Sequence, residues 1–535
     1  MAVTGDHNSL DTDWLVVGSG FGGSVAALRL AEKGYRVVVA EKGGWKTAED
    51  FPHSNWNLKR WLWAPAFGWR GIFKITPFRH VMVLSGTGVG GGSLGYAATL
   101  PTPQPSFFKA PSWGHLADWQ TELAPHYQTA RRMLGVTETP LLADSDLALK
   151  ALAEAEGLGG EFAPTPVGIY FGSPGIEEPD PYLDGAGPSR SGCTFCGACM
   201  IGCRHNAKNT LDKNYLHLAQ KKGAAIQARK EVVSISPLDG GEGRTGYRVV
   251  LRRADSLWGR FWGRRQVLTA KGVVLAGGVT GTMPLLLKLQ KKGLPRISPR
   301  LGCGVRTNQE GFRLVTTPNR RRDFSKGVAI GSRIRVDDQS YLEAVRYPSG
   351  SGFWRLSMSP AQSDGRLWVR LVNLVWDHIR HPWANLRSYT VGDWARDSQV
   401  LMFMQTLDST LRLKRGFWGM GTTMEQGAAP TPFLPESDRL ARRQSTLVGG
   451  KPYALITETL LGIPTTAHFL GGACMGATPE EGVIDPGHRV FGYHNLLVVD
   501  GCAISANPGV NPSLTILALA ERAMSAIPQS GAAPQ

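Results

Sequence analysis

Four of the seven cysteines in the sequence stand together in the stretch CTFCGACMIGC. Cys193, Cys196, Cys199 and Cys203 follow the spacing C-x2-C-x2-C-x3-C, which suits thiolates that fold around a compact iron–sulfur cluster. Structural zinc sites usually place more residues between their two ligand pairs, and disulfides are rare in a reducing compartment. The spacing therefore predicts iron–sulfur ligands, and inert buried thiols are the main alternative.

A histidine and an asparagine nearer the C-terminal end could carry acid–base chemistry. His468 stands in TAHFLGGACMG, and a histidine suits proton removal from a hydroxyl because its pKa lies near neutrality. Asn511 precedes Pro512 in PGVNPSLTI, an order that predicts a helix with Asn511 as N-cap and Pro512 as its first residue. From the residues alone, His468 could instead cap a turn before the glycines that follow it.

Residues 14–43, WLVVGSGFGGSVAALRLAEKGYRVVVAEKG, form a dinucleotide-binding pattern. A short buried strand leads into a G-x-G-x-x-G turn, a helix with apolar spacing, and a second strand that ends at Glu41. An acid at that position suits the adenosine ribose and disfavours the 2′-phosphate of NADP. The pattern fits FAD and NAD alike, and its predicted contacts are Gly18, Gly20, Phe21, Gly22, Gly23 and Glu41.

A second glycine stretch, VMVLSGTGVGGGSLGYAAT at residues 81–99, favours FAD over NAD. Its glycines can let the backbone lie against a flat ring system without Cβ atoms in the way. A flexible surface loop is the alternative, but the apolar residues before and after the run favour a buried location. The predicted contacts in this stretch are Gly86, Gly88, Val89, Gly90, Gly91 and Ser93.

The stretches GSGFGG, GTGVGGGS, VVLAGGVTGTMPLLL (273–287) and HNLLVVDGCAISANPGVNPSLTILALAER occur in this order along the chain. Together they resemble the glucose–methanol–choline (GMC) family of FAD oxidoreductases. Within that family, KNTLDKNYL (208–216) and YLEAVRYPSG (341–350) are similar to the cholesterol oxidases of the intracellular, mycobacterial-type branch. VVLAGGVTGTMPLLL departs from the family's second signature, which usually has serines near the turn, and we interpret this as sequence drift.

The resemblance implies that the protein oxidises a hydrophobic alcohol, such as the 3β-hydroxyl of cholesterol, by hydride transfer to the N5 atom of FAD. It implies His468 as the base, Asn511 as its polar partner, and Glu343 as a carboxyl that shifts a sterol double bond from Δ5 to Δ4. The flavin and its ribityl chain are expected near Asp500, Gly501, Asn511 and Pro512. From the residues alone, Glu343 could be a solvated strand residue and Asp500 a turn cap.

We predict an α/β fold, with a Rossmann-like FAD-binding domain and a discontinuous α+β substrate domain built on an antiparallel sheet. The strand-like runs VAIGSRIRV, YLEAVRY and LWVRLVNLV predict that sheet, which would place an apolar wall over the flavin. The FAD-binding domain is expected at 12–45, 80–105, 205–312 and 455–530, the substrate domain at 313–454, a lid or membrane-facing segment at 46–79, and an excursion at 106–204 that ends in the cysteine stretch.

The sequence is basic, with 59 lysines and arginines against 43 acidic residues and a net charge of +16. No nucleic-acid motif accompanies this charge, so we expect no nucleic-acid partner. In Trp56–Lys74 and Leu257–Arg265 the cations alternate with aromatic residues, which fits a membrane interface and ordinary surface packing equally. We see no secretory leader and no bilayer-spanning apolar run, and therefore expect a cytoplasmic protein that could lie peripheral to a membrane.

Two alternatives stay open at the level of the sequence. One is an alcohol dehydrogenase with FAD and an iron–sulfur cluster that acts on a non-sterol long-chain alcohol and passes electrons to a redox protein or quinone instead of O2. The other is a flavin-containing electron-transfer or scaffold protein at a membrane surface, with vestigial alcohol chemistry. The presence of His468, Asn511 and Glu343 favours an enzyme over the scaffold.

Overall fold

The computed structural model describes residues 10–256, 259, 263–318, 321–361, 365–407, 409–416, 419–427 and 429–531. Most of the aromatic–basic stretch Leu257–Arg265 therefore lies outside the described residues. Within the described ranges the chain forms two large sheets, several short strand pairs and helices packed around them.

The first helix begins directly after Gly20 of the fingerprint and buries Val25, Leu28 and Leu30, as the apolar spacing predicts. None of the helices in the described residues is long and apolar enough to cross a bilayer. In chain order they are α1 (Phe21–Glu32), α2 (Leu58–Trp61), α3 (Pro105–Phe108), α4 (Trp119–Met133), α5 (Asp144–Ala155), α6 (Tyr215–Lys221), α7 (Val279–Leu289), α8 (Leu367–Arg380), α9 (Pro382–Tyr389), α10 (Trp394–Asp397), α11 (Pro435–Val448) and α12 (Ser513–Ser525).

The strands of the larger sheets and of one long hairpin are numbered in chain order. They are β1 (Thr12–Val17), β2 (Val37–Glu41), β3 (Phe73–Pro77), β4 (Met82–Gly86), β5 (Phe162–Pro164), β6 (Ala225–Ala228), β7 (Lys230–Pro237), β8 (Tyr247–Arg253), β9 (Gln266–Leu275), β10 (Gly311–Thr316), β11 (Ile330–Arg335), β12 (Ser340–Val345), β13 (Met358–Pro360), β14 (Ser398–Gln405), β15 (Thr410–Gly416), β16 (Gly419–Gln426), β17 (Lys451–Leu455), β18 (Thr465–Thr466) and β19 (Leu496–Val498).

The first sheet has the order β6-β2-β1-β9-β8-β7, with β19 paired to β9. Strands β6, β2, β1, β9 and β19 pair in parallel, and β8 and β7 extend the sheet as antiparallel neighbours. The parallel strands read as continuous apolar runs because both faces of the sheet are covered. Helix α1 packs against α6 and α12, which confirms the predicted Rossmann-like architecture.

The second sheet has the order β13-β17-β10-β14-β12-β11-β5, and all of its neighbouring strands are antiparallel. The predicted antiparallel sheet is therefore confirmed. Strand β5 comes from the range predicted as an excursion, so that range also contributes to this sheet. The predicted boundaries of the two domains stay a prediction.

One of the three runs that predicted this sheet is not a strand. Residues 367–375, LWVRLVNLV, lie in helix α8, so the strand prediction for that run is wrong. β-branched and aromatic residues favour strands. A run of nine residues is too short to distinguish the alternation of a strand from the three- and four-residue spacing of a helix. Over the whole of α8, however, the apolar residues recur at the three- and four-residue spacing of a helix.

A small three-stranded sheet brings distant parts of the chain to the same place. Strand β4, the first part of the second glycine stretch, pairs in parallel with β18 and antiparallel with β3. Strand β18 ends two residues before His468. This pairing positions the candidate base beside the second glycine stretch.

The segment predicted as a lid, residues 46–79, folds into α2, a short hairpin (Trp63–Ala64 with Trp69–Arg70) and β3. Trp61 is fully buried and stacks on Phe73 with a centroid distance of 5.1 Å. Phe67, at the hairpin turn, is exposed. A role for this segment as a lid or as a membrane contact stays a prediction.

Candidate active site

One cavity of about 770 Å³ is lined by residues of both large sheets. Predicted cofactor contacts that line it are Gly18, Gly20, Phe21, Gly22, Glu41, Gly86, Gly91, Asp500, Gly501, Asn511 and Pro512. Gly23, Gly88, Val89, Gly90 and Ser93 are not part of this lining. Ser93, for example, is fully buried, and its Oγ donates to the carbonyl of Gly90 at 2.7 Å.

The two glycine stretches meet at the floor of the cavity. A Cβ atom at Gly91, where φ is +54°, would stand 2.5 Å from the Cα of Gly20, so this approach requires glycine. A Cβ atom at Gly20 would meet nothing nearer than 3.9 Å, which leaves free space at the start of α1. Backbone N–H groups at a helix start attract phosphate, so this floor fits the pyrophosphate of FAD.

Glu41 lies at the end of β2 and lines the cavity, as predicted for a ribose contact. Its carboxylate already accepts hydrogen bonds from Ser19 N at 3.0 Å, Ser19 Oγ at 2.8 Å and Gly43 N at 2.8 Å. These bonds hold the fingerprint turn against the second strand. Because a carboxylate has about four acceptor positions, Glu41 can still accept from a ribose hydroxyl.

A second strand–turn–helix unit reaches the cavity between β9 and α7. Asp500 Oδ2 accepts from Gly278 N at 2.8 Å and from Thr282 Oγ1 at 2.5 Å, and its Oδ1 accepts from Cys502 N at 2.9 Å. Burial raises the pKa of the Asp500 carboxyl, although these hydrogen bonds oppose the shift. These contacts fit a turn-cap role for Asp500, and its contact with the ribityl chain stays a prediction.

His468 lines the same cavity and is oriented by a buried carboxylate. Its Nδ1 pairs with Glu310 Oε1, and Glu310 Oε2 accepts from Ala467 N at 2.9 Å. The His468 backbone N–H donates to Thr466 Oγ1 at 2.9 Å. Burial lowers the pKa of His468, but the charge of Glu310 and its hydrogen bond, followed by Glu343, raise it more, so the net shift is upward.

Asn511 and Pro512 line the cavity just before α12. The helix begins at Ser513 with Pro512 as N-cap, so the prediction of Asn511 as N-cap is wrong by one residue. The Asn511 side chain hydrogen-bonds the carboxyl of Glu343. Its Oδ1 is buried with no hydrogen-bond partner among the described residues.

Glu343 is buried on β12 behind Asn511 and does not belong to the lining of the cavity. Its cross-strand neighbour on β11 is Arg333. Burial raises the pKa of Glu343 to about 7, against the opposing effects of Arg333, His468 and Asn511. The predicted alternative of a solvated strand residue is therefore wrong.

The second sheet contributes an apolar wall to the cavity. It is formed by Phe312, Leu314, Ile330, Val345, Val400, Met402 and Leu455, which come from β10, β11, β12, β14 and β17. The wall adjoins the polar end at His468 and Asn511. An apolar wall next to a few polar groups is typical of a small-molecule site.

The four clustered cysteines surround a separate cavity of about 20 Å³, and all seven cysteines, which lie in the described ranges, are free thiols. In the described residues no group of three or more histidine, cysteine or acidic side chains is arranged to hold a metal ion. Burial raises the pKa of Cys199 to about 11 and raises that of Cys193 further. Burial acts to raise the pKa of Cys203, but the charge of Lys213 and backbone hydrogen bonds lower it more. An iron–sulfur cluster on these four thiols stays a prediction.

The cysteine stretch also has a packing role. Cys193 and Cys199 belong to an apolar cluster that includes Trp61 and Met402. Buried Lys208 donates from Nζ to the carbonyls of Cys199 at 2.7 Å and Leu94 at 2.8 Å, which ties the stretch to the end of the second glycine run. These contacts fit Cys193 and Cys199 as buried apolar residues, whereas Cys196 and Cys203 are half-buried.

Sequence reasoning missed Glu310 and Lys208. Glu310 stands 158 residues before His468, directly before β10, and no local pattern marks it. Lys208 lies in a stretch that was already identified by resemblance, but its burial follows only from tertiary packing. A sequence signal for either residue would have required knowledge of which strands pair.

Comparison with known proteins agrees with this geometry. Models of GMC oxidoreductases match residues 188–304 and 405–520, and a model of an FAD binding domain matches residues 13–52. A cholesterol oxidase of Acinetobacter baumannii is 43% identical over 531 residues, with 97% of this chain and 95% of that chain covered. A cholesterol oxidase of Mycobacterium tuberculosis is 44% identical over 549 residues, with 97% and 92% covered.

A solved structure shares the fold at low sequence identity. Pyridoxine 4-oxidase from Mesorbium loti superimposes with a TM-score of 0.62 at 17% identity, with 96% of this chain and 99% of that chain covered.

Fold and site together define an FAD-dependent oxidoreductase that acts on CH–OH groups. The glycine floor of its cavity fits the cofactor, and a histidine paired with a carboxylate lines the same cavity. The chain belongs to the GMC oxidoreductase family. The family membership expected from the sequence motifs is thereby confirmed.

Proposed function

We propose that the protein oxidises the 3β-hydroxyl of a sterol, such as cholesterol, to a ketone. The observation that carries this proposal is a single cavity that combines a glycine floor, His468 with Asn511, and an apolar wall. Two relatives at 43% and 44% identity that are named cholesterol oxidases support the same substrate. Their names also support O2 as the final electron acceptor rather than a redox protein or quinone.

His468 takes the hydroxyl proton in this proposal. Bound FAD supplies the acceptor for the hydride that leaves the carbinol carbon. Because Nδ1 of His468 pairs with Glu310, its Nε2 is the nitrogen left to accept the proton. Glu310 then acts as a positioning residue that fixes the ring and stabilises its protonated form.

Asn511 supplies the second polar contact at this end of the cavity. Its buried Oδ1, without a partner among the described residues, is available to a polar group of the substrate. The bond to Glu343 holds its amide in place.

The proposed function is tested by adding cholesterol to the oxidised holoenzyme without oxygen and following the visible flavin band. We expect the band to bleach with about one cholesterol per flavin and a steroid ketone to form, because the hydroxyl loses a hydride and a proton. Cholesteryl methyl ether, in which the hydroxyl is blocked, is the matched control and should leave the band unchanged. Bleaching by long-chain primary alcohols but not by cholesterol would contradict the sterol assignment.

We also propose that Glu343 moves the double bond from Δ5 to Δ4 after oxidation. A carboxyl with a pKa near 7 can take a proton from one carbon of the sterol and return it to another. For this step Glu343 gives up its hydrogen bond to Asn511 and contacts the sterol. Glu343→Gln cannot carry that proton, so we expect oxidation within about tenfold of wild type but accumulation of the unconjugated ketone.

Chromatography and the ultraviolet absorption of the conjugated enone distinguish the two products of the Glu343→Gln variant. Glu343→Asp, which keeps the carboxyl, is the control and should form some conjugated ketone. A Glu343→Gln variant that forms the conjugated product at the wild-type ratio would show that another group performs the shift.

A further inference from the structure

Helix α8 presents its apolar side to solvent. Its exposed apolar side chains recur at intervals of three and four residues, which is the spacing that normally faces a protein core. Between 43% and 62% of each is exposed, and they are Leu367, Trp368, Leu371, Val372, Val375, Trp376 and Ile379. A contiguous apolar surface of this kind marks an interaction site.

The polar side of α8 packs against the protein. Arg370 is buried, and its guanidinium lies 4.9 Å from the ring centroid of Phe433. Asp377 pairs with Lys451 at 2.6 Å and accepts from Asn385 Nδ2 at 3.0 Å. The helix is therefore anchored by its charged groups, and its orientation with the apolar side outward is fixed by specific contacts.

Helix α9 continues the same type of surface. Trp383 is 72% exposed and Leu386 is 51% exposed. We name the exposed apolar residues of α8 together with Trp383 and Leu386 the α8–α9 face.

The surroundings of the α8–α9 face are basic. Arg366, Arg380 and Arg387 are exposed, and the Arg380 guanidinium lies 4.9 Å from the ring centroid of Trp376. The only acidic residue between positions 366 and 389 is Asp377, which Lys451 already pairs. Tryptophan beside arginine on an amphipathic helix suits the boundary between lipid headgroups and acyl chains.

The α8–α9 face adjoins the elements that build the apolar wall. Helix α8 contacts β13 and the turn Thr457–Leu461. Strand β13 pairs with β17, whose Leu455 lines the cavity. Leu356 and Leu461, next to these contacts, are 71% and 60% exposed. The exposed apolar surface is thus only one strand pair away from the candidate substrate cavity.

We propose that the α8–α9 face docks into the surface of an anionic phospholipid bilayer. Its apolar side chains enter the headgroup region, and Arg366, Arg380 and Arg387 contact anionic headgroups. Docking places the cavity beside the membrane, so that a membrane-dissolved substrate can enter it without crossing water. This last step rests on the proposed sterol substrate, whereas the docking itself does not.

Charge favours a bilayer over a second copy of the chain. Two copies that met through this face would bring their arginine borders together, and each chain carries a net charge of +16. An anionic lipid surface instead attracts the same arginines. An anionic bilayer therefore offers acyl chains to the apolar side chains and headgroups to the arginines of the same surface.

The test measures binding of the holoenzyme to vesicles of phosphatidylcholine with and without phosphatidylserine, by co-sedimentation and by tryptophan fluorescence. The double variant Val372→Asp/Ile379→Asp places two charges in the apolar side of α8. We expect it to bind phosphatidylserine vesicles at least about tenfold more weakly than wild type. The matched control is Leu147→Asp/Leu238→Asp, which adds the same charge at residues that are 50% and 43% exposed on other elements.

The control variant should bind like wild type, and wild-type binding should weaken with added salt because the headgroup contacts are electrostatic. Melting temperatures identify any variant that loses its fold, and Trp383→Ser then serves as a milder second variant. Wild-type protein that stays in solution with both vesicle types would overturn the proposal. A dimer in light scattering that Val372→Asp/Ile379→Asp dissociates, without vesicle binding, would assign the face to a second copy instead.

Substrate delivery has a separate readout. We expect Val372→Asp/Ile379→Asp to lose turnover of cholesterol in vesicles but to keep turnover of cholesterol supplied in cyclodextrin. Vesicle binding without sterol is measured independently of any turnover. Vesicle binding together with no reaction of cholesterol would therefore refute the proposed function and leave the docking proposal standing.

Discussion

Replacing His468 with alanine is expected to slow anaerobic flavin reduction by cholesterol by about 10²–10⁴-fold while FAD stays bound. The substitution removes the group that takes the hydroxyl proton, and Asn511 cannot replace it because an amide is not a base. The glycine floor does not depend on the histidine ring, so the visible spectrum of the purified variant should still show flavin. Stopped-flow absorbance at saturating cholesterol measures the loss directly.

A surface histidine supplies the control for His468→Ala. His494 has a side chain that is 47% exposed and does not line the cavity, so His494→Ala should reduce at the wild-type rate. A His468→Ala variant that reduces within about threefold of wild type would refute the role as base. Loss of bound flavin from His468→Ala would instead assign the residue to cofactor retention.

The cofactor end of the site could be predicted from the sequence because its signal is local. Strand, turn, helix and Glu41 occupy 30 consecutive residues, and the geometry of one βαβ unit determines how they meet. The family resemblance added His468, Asn511 and Glu343 without showing how they interact. Their arrangement follows from the pairing of β4 with β18 and of β11 with β12, which sequence spacing does not reveal.

Two errors in the prediction have the same physical origin. The order Asn511-Pro512 predicts a cap at Asn511, but α12 begins at Ser513 and the Asn511 side chain bonds Glu343 on another element. LWVRLVNLV was expected to be a strand of the buried sheet, but α8 is a helix whose apolar side faces outward. Local propensity limits the conformations that a segment favours. Tertiary packing then decides which of these conformations forms.

The cysteine stretch shows the limit of a spacing motif. Its spacing fits cluster ligands, yet the fold uses Cys193 and Cys199 as small apolar residues beside Trp61. A buried lysine then ties the stretch to the glycine floor through backbone carbonyls. The spacing predicts cluster ligands, which stays a prediction, and the packing of Cys193 and Cys199 could not be predicted from spacing.

Glu310→Gln is expected to move the acid limb of the pH profile of kcat/KM to lower pH. The base acts in its neutral form, and in the wild type its pKa lies above the usual value of about 6.5, because the effect of Glu310 and Glu343 exceeds that of burial. Activity is therefore lost as the pH falls through this raised pKa. Removal of the Glu310 charge lowers the pKa of His468, so the variant stays deprotonated to lower pH.

The same variant should also have a lower activity at the high-pH plateau, by roughly 10–10³-fold. Glutamine cannot stabilise the protonated ring as a carboxylate does, and its amide can turn Nδ1 into an acceptor, which would leave the proton on the wrong nitrogen. Measurement of kcat/KM for cholesterol across the stability range of the enzyme reports both effects. A purely structural role of Glu310 would lower the activity without moving the limb.

Glu310→Asp is the control for this prediction, because it keeps the charge and shortens the side chain by one methylene. We expect its acid limb to stay near that of wild type, even if the plateau falls, since the limb depends on charge and the plateau depends on geometry. Glu343 also raises the pKa of His468, so Glu343→Gln should move the limb in the same direction but less. An acid limb that stays in place in Glu310→Gln would mean that a group other than His468 controls it.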